Sequence, residues 1–229
     1  MSKMTKNKKK ILITILCIAL IQMPFLALTP AIERMSQFFS DRTLSEIQTA
    51  IALPSLISMF SSLVSAFFIA KGWISKKTAV IAGLCFAIST GFAAIFLHTE
   101  FWHLILYSVI LGISLGFFIP TSASIMFDAF DEKERQMVTG LQTSFINIGG
   151  IIMSAVGGLL ATLMWYGGYL TFLLMIPVAV LAVVALPGSK DRDSSGLEKD
   201  RAKRSKLPAE VFYYGILIFL FMLIFNVGG

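Results

Sequence analysis

An all-α, polytopic membrane helix bundle is the fold class this sequence predicts, and three observations predict it. Of 229 residues, 56% are hydrophobic and only 14% are charged, against about 25% charged in a typical soluble domain. The charges cluster, leaving seven apolar runs without a single Asp, Glu, Lys or Arg. Lys and Arg also concentrate in every second connection between those runs. About 20 apolar residues cross a bilayer core, and lipid offers no partner to a free backbone N–H or C=O, so each crossing is expected to be helical. Disorder, a disulfide scaffold and a soluble enzyme are excluded as readings. Cys17 and Cys85 both fall inside apolar runs and read as small buried hydrophobes.

The runs occupy 11–29, 47–70, 78–97, 101–127, 137–164, 168–186 and 211–227. They predict a six-helix bundle over 1–186, a charged loop over 187–210 and a truncated seventh helix over 211–229. The first run follows MSKMTKNKKK. It is longer than the roughly 7–15 apolar residues of a signal peptide and lacks a small-x-small cleavage site, so it reads as an anchor. In the second, Ser58, Ser61, Ser62 and Ser65 read as helix-packing residues. The fourth carries Gly112 and Gly116 as GxxxG, then Pro120. The fifth holds the clearest pattern: Gly150, Ser154 and Gly158 on one stripe, with Gly149 and Gly157 beside it. Small residues at this spacing let helix backbones approach closely. Pro24, Pro54, Pro120 and Pro177 are each expected to interrupt a span. A 3+3 internal repeat is suggested by element lengths more than by letters: a shift of 90 residues pairs Pro30 with Pro120, Asp41 with Asp131 and Thr49 with Thr139.

Orientation follows from charge. Seventeen of the nineteen Lys and Arg residues fall in the N-terminus and the 71–77, 128–136 and 187–210 connections. The positive-inside rule places that side, and the N-terminus, in the cytoplasm. The net charge of +6 is thus the signature of orientation rather than of nucleic-acid binding. Trp73, Trp102, Trp165, Tyr166 and Tyr169 fall at run ends, where amphipathic rings favour the interface.

Polar groups facing lipid are costly, so they mark a cavity or a helix contact. Gln22, Gln142, Thr143 and Asn147 are the candidates for a substrate-binding cavity wall. No Asp, Glu, Lys or Arg lies within a run; Glu33 and Arg34 stand just beyond the first. A neutral or amphipathic solute is easier to accommodate than a strongly charged one. His98, Glu100 and His103 do not form a recognised ligand spacing, and no metal or cofactor is expected.

Six spans, a basic 2–3 connection, a glycine-rich fifth span and a long charged loop before the seventh resemble the N-terminal half of a major facilitator superfamily transporter. In the 2–3 connection, FFIAKGWISKK, Lys76 and Lys77 match the family's basic pair. Gly72, Trp73 and Ser75 stand where the family has aspartate, arginine and glycine. In DAFDEKERQMVTG, Glu134, Arg135 and Gly140 match the acidic–Arg then glycine pattern, and Glu132, Glu134 and Arg135 are placed to pair with the 2–3 lysines. Gly149, Gly157 and Gly158 match the antiporter motif, whose glycine-proline is here Met153-Ser154.

The resemblance implies a non-enzymatic secondary transporter of the plasma membrane that moves a small solute or drug by alternating access, as in efflux. Its partners would be the lipid bilayer, an unidentified small molecule and a missing C-terminal half. The alternative is a complete small membrane protein acting as an oligomeric or partner-binding scaffold, with the glycine stripes as contacts between subunits.

Overall fold

The computed structural model describes residues 6–188. The seventh span, and all but the first two residues of the charged loop, lie outside the described residues. Every regular element among the described residues is helical. Four long helices are unbroken: α3 (Leu44–Ala70), α4 (Lys76–Phe96), α5 (Phe101–Ala129) and α6 (Glu132–Leu163). They are preceded by α1 (Lys6–Ala19) and α2 (Ile32–Phe38), and followed by α7 (Gly167–Leu170) and α8 (Met175–Ala185).

The first span is interrupted just before Pro24. It ends at Ala19, resumes as 3-10 turns over Pro24–Ala27 and Thr29–Ala31, and continues as α2, with a bend of 42°. Pro24 has no N–H for the Leu20 carbonyl and its ring excludes a helical turn behind it. The sixth span is also interrupted: α7, a 3-10 turn over Thr171–Leu174, and α8. Pro177 sits in the first turn of α8, and the 3-10 turn contains Leu173, the residue whose carbonyl its ring would meet. Counting the bent pair as one crossing, six segments among the described residues are long and apolar enough to span a membrane.

Pro54 and Pro120, by contrast, lie inside unbroken helices. At Pro54 the reason is visible. Its missing N–H leaves the Ala50 carbonyl without its usual donor, and buried Ser108 of α5 donates to that carbonyl at 2.6 Å. Neighbouring hydroxyls are how a proline is tolerated in a spanning helix.

α5 is the centre of the bundle, with α3 along one side and α4 along another. Gly112 and Gly116 let α3 approach. A Cβ at Gly112 would lie 2.6 Å from that of Ile57, and one at Gly116 would overlap the Ser61 hydroxyl. Ser61 donates to the Gly112 carbonyl at 3.0 Å, and Ser114 of α5 donates to the Gly83 carbonyl of α4 at 2.7 Å. Gly83 faces Phe118 just as tightly. Tyr107 and Tyr169 stack edge to face in the buried core, 5.1 Å apart.

The outward face of α3 is different. Leu56, Met59, Phe60, Leu63 and Val64 are all exposed. A contiguous apolar face of this kind is a liability in water and the expected surface in lipid.

Candidate functional site

Contacts sort the connections into two ends. Lys8 of α1 pairs with Glu134 of α6 at 2.7 Å, and Lys76 of α4 with Asp128 of α5 at 2.6 Å. The N-terminal segment and the 2–3 and 4–5 connections therefore share one end. At the other end Phe38 and Phe39 contact Trp165, Phe39 contacts Phe101, and His98 stacks on Tyr166 at 4.4 Å. This alternation is the one on which the Lys and Arg partition rests.

At the charged end, the expected pairing of Glu132, Glu134 and Arg135 with the 2–3 lysines is corrected. Lys76 takes Asp128, and Glu134 takes Lys8. Arg135 turns back onto backbone, its Nε donating to the Phe130 carbonyl at 2.7 Å and its guanidinium also bonding the Phe127 carbonyl. It thereby caps the last turn of α5, where cations are favoured. The reason for the correction is length: α5 continues past the apolar run to Ala129, which carries Asp128 to the 2–3 connection.

Gly72, which stands at the family's aspartate position, has φ of +73°. Trp73 N–H bonds the Phe68 carbonyl and Gly72 N–H the Ile69 carbonyl, both at 3.0 Å. Trp73 also packs its ring 5.4 Å from that of Phe68. These are the two bonds and the apolar contact of a Schellman end, which favours glycine at the left-handed position.

The first span lies parallel on α6. The Leu20 carbonyl faces Gly149 and the Ala27 carbonyl faces Gly157, so closely that a Cβ at either glycine would overlap backbone. Leu26 lies over Gly150, and Pro30 sits against Gly158 in ordinary contact at 3.4 Å. Ser154 is half-buried, and Pro120 is exposed on α5. The irregular segment of the first span thus rests on the glycine face of α6.

Beside this seam lie the polar candidates. Gln22 is half-buried in the break, its amide 3.5 Å from the Ser122 hydroxyl. Ser122 is buried in α5 and donates to the Ile119 carbonyl at 2.8 Å. Gln142 is buried. Thr143 and Asn147 are exposed on one face of α6, four residues apart. Each bonds back one turn: Thr143 Oγ1 to the Thr139 carbonyl and Asn147 Nδ2 to the Thr143 carbonyl, both at 3.0 Å. No hydrogen bond joins Gln22 to Gln142, Thr143 or Asn147 among the described residues. The structure brings Gln22 to Ser122, and leaves Thr143 and Asn147 on an open polar stripe with Thr139.

Two open grooves flank α2 at the aromatic end, of about 470 and 500 Å³. Both are lined by Pro30, Glu33 and Gln37. Arg34 is held in the second, donating to the Thr162 carbonyl at 3.2 Å. The aromatic residues divide here as well. Trp73 and Trp102 are exposed at helix ends, whereas Trp165 and Tyr169 are buried packing residues. His103 accepts the Glu100 N–H at 3.1 Å and so caps α5.

The profile of the Major Facilitator Superfamily matches residues 11–229. The chain belongs to the Major Facilitator Superfamily. Comparison with curated proteins returns no match. As a superfamily member it is a multi-pass membrane protein of a transporter family, not an enzyme family. Lys76 and Glu134 both lie at the charged end, the first paired with Asp128 and the second with Lys8.

Proposed function

We propose that this superfamily member forms one half of the solute path of a secondary transporter that works by alternating access. The observation that carries this reading is the open stripe of Thr139, Thr143 and Asn147 on α6. Hydrogen-bonding side chains are costly against hydrocarbon, so such a face belongs on an aqueous cavity. The Asn147 carbonyl oxygen has no donor among the described residues, which leaves an acceptor available to a solute.

Gln22, Gln142, Thr143 and Asn147 are assigned to the cavity wall. A second six-helix half would close the other side, and the seam of Gly149, Gly150, Ser154, Gly157 and Gly158 would let the first span move on α6 during rocking. Gly112, Gly116 and Pro120 would serve the same movement between α3 and α5. The solute is small and neutral or amphipathic, a drug among the candidates, because the spans carry no Asp, Glu, Lys or Arg in their apolar runs. The charged end faces the cytoplasm and the host membrane is the plasma membrane, with efflux as the direction tested first.

The test is transport by the whole protein in inside-out vesicles. Ala at Thr143 and Asn147 is expected to lower kcat/KM for a transported solute. Unchanged transport of every solute found would remove these residues from the wall. Sidedness is tested by thiol labelling of cells. Cys introduced within 35–45 is expected to react with an impermeant reagent, and Cys within 71–77 is not.

A further inference from the structure

The break in the first span leaves backbone groups without partners in the middle of an apolar run. No backbone donor reaches the carbonyls of Leu20, Ile21 or Gln22 among the described residues, and the Met23 N–H finds no backbone acceptor. Pro24 removes the donor that the Leu20 carbonyl would have used, and the Leu26 N–H turns to the Met23 carbonyl at 3.2 Å. The Leu20 carbonyl is covered by Gly149. Those of Ile21 and Gln22 have no such assignment, and they sit beside a half-buried amide whose contact with Ser122 is long, at 3.5 Å.

Irregular backbone at membrane depth is tolerated where it is buried in protein or lines a water-filled cavity. An unsatisfied carbonyl in hydrocarbon is strongly disfavoured. α1 also ends here, and its last carbonyls carry the negative end of the helix dipole.

We infer that the unwound segment at 20–23 is a hydrogen-bonding subsite for donor-bearing solutes, in which the half-buried Gln22, through its backbone carbonyl and its side-chain oxygen, receives hydroxyl or N–H groups. The inference rests on the cavity reading above and names the solute chemistry that the cavity selects. The site offers mainly acceptors and no carboxylate, so it recognises O–H and N–H groups rather than bulk positive charge. Discontinuous helices with free carbonyls are used in this way for cations in other transporter folds. Here the side-chain partners are uncharged.

The experiment uses the whole protein in membrane vesicles with Cys17→Ala and Cys85→Ala, and single Cys substitutions at Gln22, Thr143 and Asn147. N-ethylmaleimide labelling is timed with sorbitol, n-butylammonium or tetraphenylphosphonium present. Sorbitol supplies neutral donors, butylammonium charged ones and tetraphenylphosphonium none. We expect the Gln22→Cys protein to be labelled, and to be protected by sorbitol or butylammonium but not by tetraphenylphosphonium. Which of the two protects identifies the donor. Adding Pro24→Ala lets the helix close, and we expect it to slow labelling about fivefold, the change that one net backbone hydrogen bond produces. Pro54→Ala, in a helix that is already continuous, is expected to leave labelling at position 22 unchanged.

Protection by tetraphenylphosphonium alone, or by none of the three, overturns the subsite. Absence of labelling at 22 with labelling at 143 and 147 also overturns it and leaves the cavity reading standing. Absence of labelling at all three positions removes both.

Discussion

Ser108 of α5 donates its hydroxyl, at 2.6 Å, to the carbonyl of Ala50 in α3, the group that Pro54 leaves without a backbone donor. The contact is buried and joins two parallel neighbouring helices. It explains how α3 carries a proline without breaking.

Ser108→Ala removes this donor from the Ala50 carbonyl. We expect a loss of about 1–3 kcal/mol, the range for a buried group left unsatisfied. Thermal unfolding in detergent measures it. In a Pro54→Ala background the new amide can bond Ala50, so the same substitution should cost less. A double-mutant cycle with no coupling between positions 54 and 108 would contradict the assignment.

Gly149→Ala drives a Cβ into the Leu20 backbone. Overpacking of this kind costs about 1–3 kcal/mol, and we expect a clear fall in unfolding temperature. Gly158→Ala meets Pro30 at ordinary contact distance and Gly140→Ala meets nothing within 4 Å, so both should be tolerated. Equal effects at all three sites would mean that the first span is not seated on α6 as described.

Gly72→Ala places a Cβ in the left-handed region at φ of +73°. The expected loss is about 1 kcal/mol, with Gly72→Asn losing less because asparagine tolerates that region. Chemical denaturation of the two variants side by side gives the comparison. Asn at least as costly as Ala would argue against the Schellman end.

Glu134→Gln separates two roles of one side chain. The amide still accepts the Asp131 N–H that closes the capping box of α6, but it no longer pairs with Lys8. Both partners of that pair are partly exposed, so the loss should be small and should vanish at high salt. A salt-independent loss would assign the effect to the cap.

Much of this arrangement is legible in the sequence. The apolar runs mark the spans, because burial in lipid demands length and apolarity and little else. The alternation of lysine-rich connections anticipates the two ends that the Lys8–Glu134 and Phe38–Trp165 contacts define. Which prolines break their span is not legible. Pro24 and Pro54 look alike in an apolar run, and what separates them is whether a hydroxyl from another helix reaches the freed carbonyl. The ion pairs are illegible for a similar reason: which lysine meets which carboxylate depends on helix length past the lipid boundary, and Asp128 sits one residue beyond the run that hydropathy draws. Gly72 reads as a departure from the superfamily motif, and only its φ shows what the backbone needs there.

Accessibility of the α6 stripe tests the solute path most directly. In the whole protein, Cys replacing Thr143 or Asn147 should react with a water-borne maleimide far faster than Cys replacing Ile152, which is exposed on another face of the same helix. A solute that the protein transports should slow the first two reactions and leave the third unchanged. Equal and slow reaction at all three positions would place the polar stripe in lipid and contradict a cavity on this face.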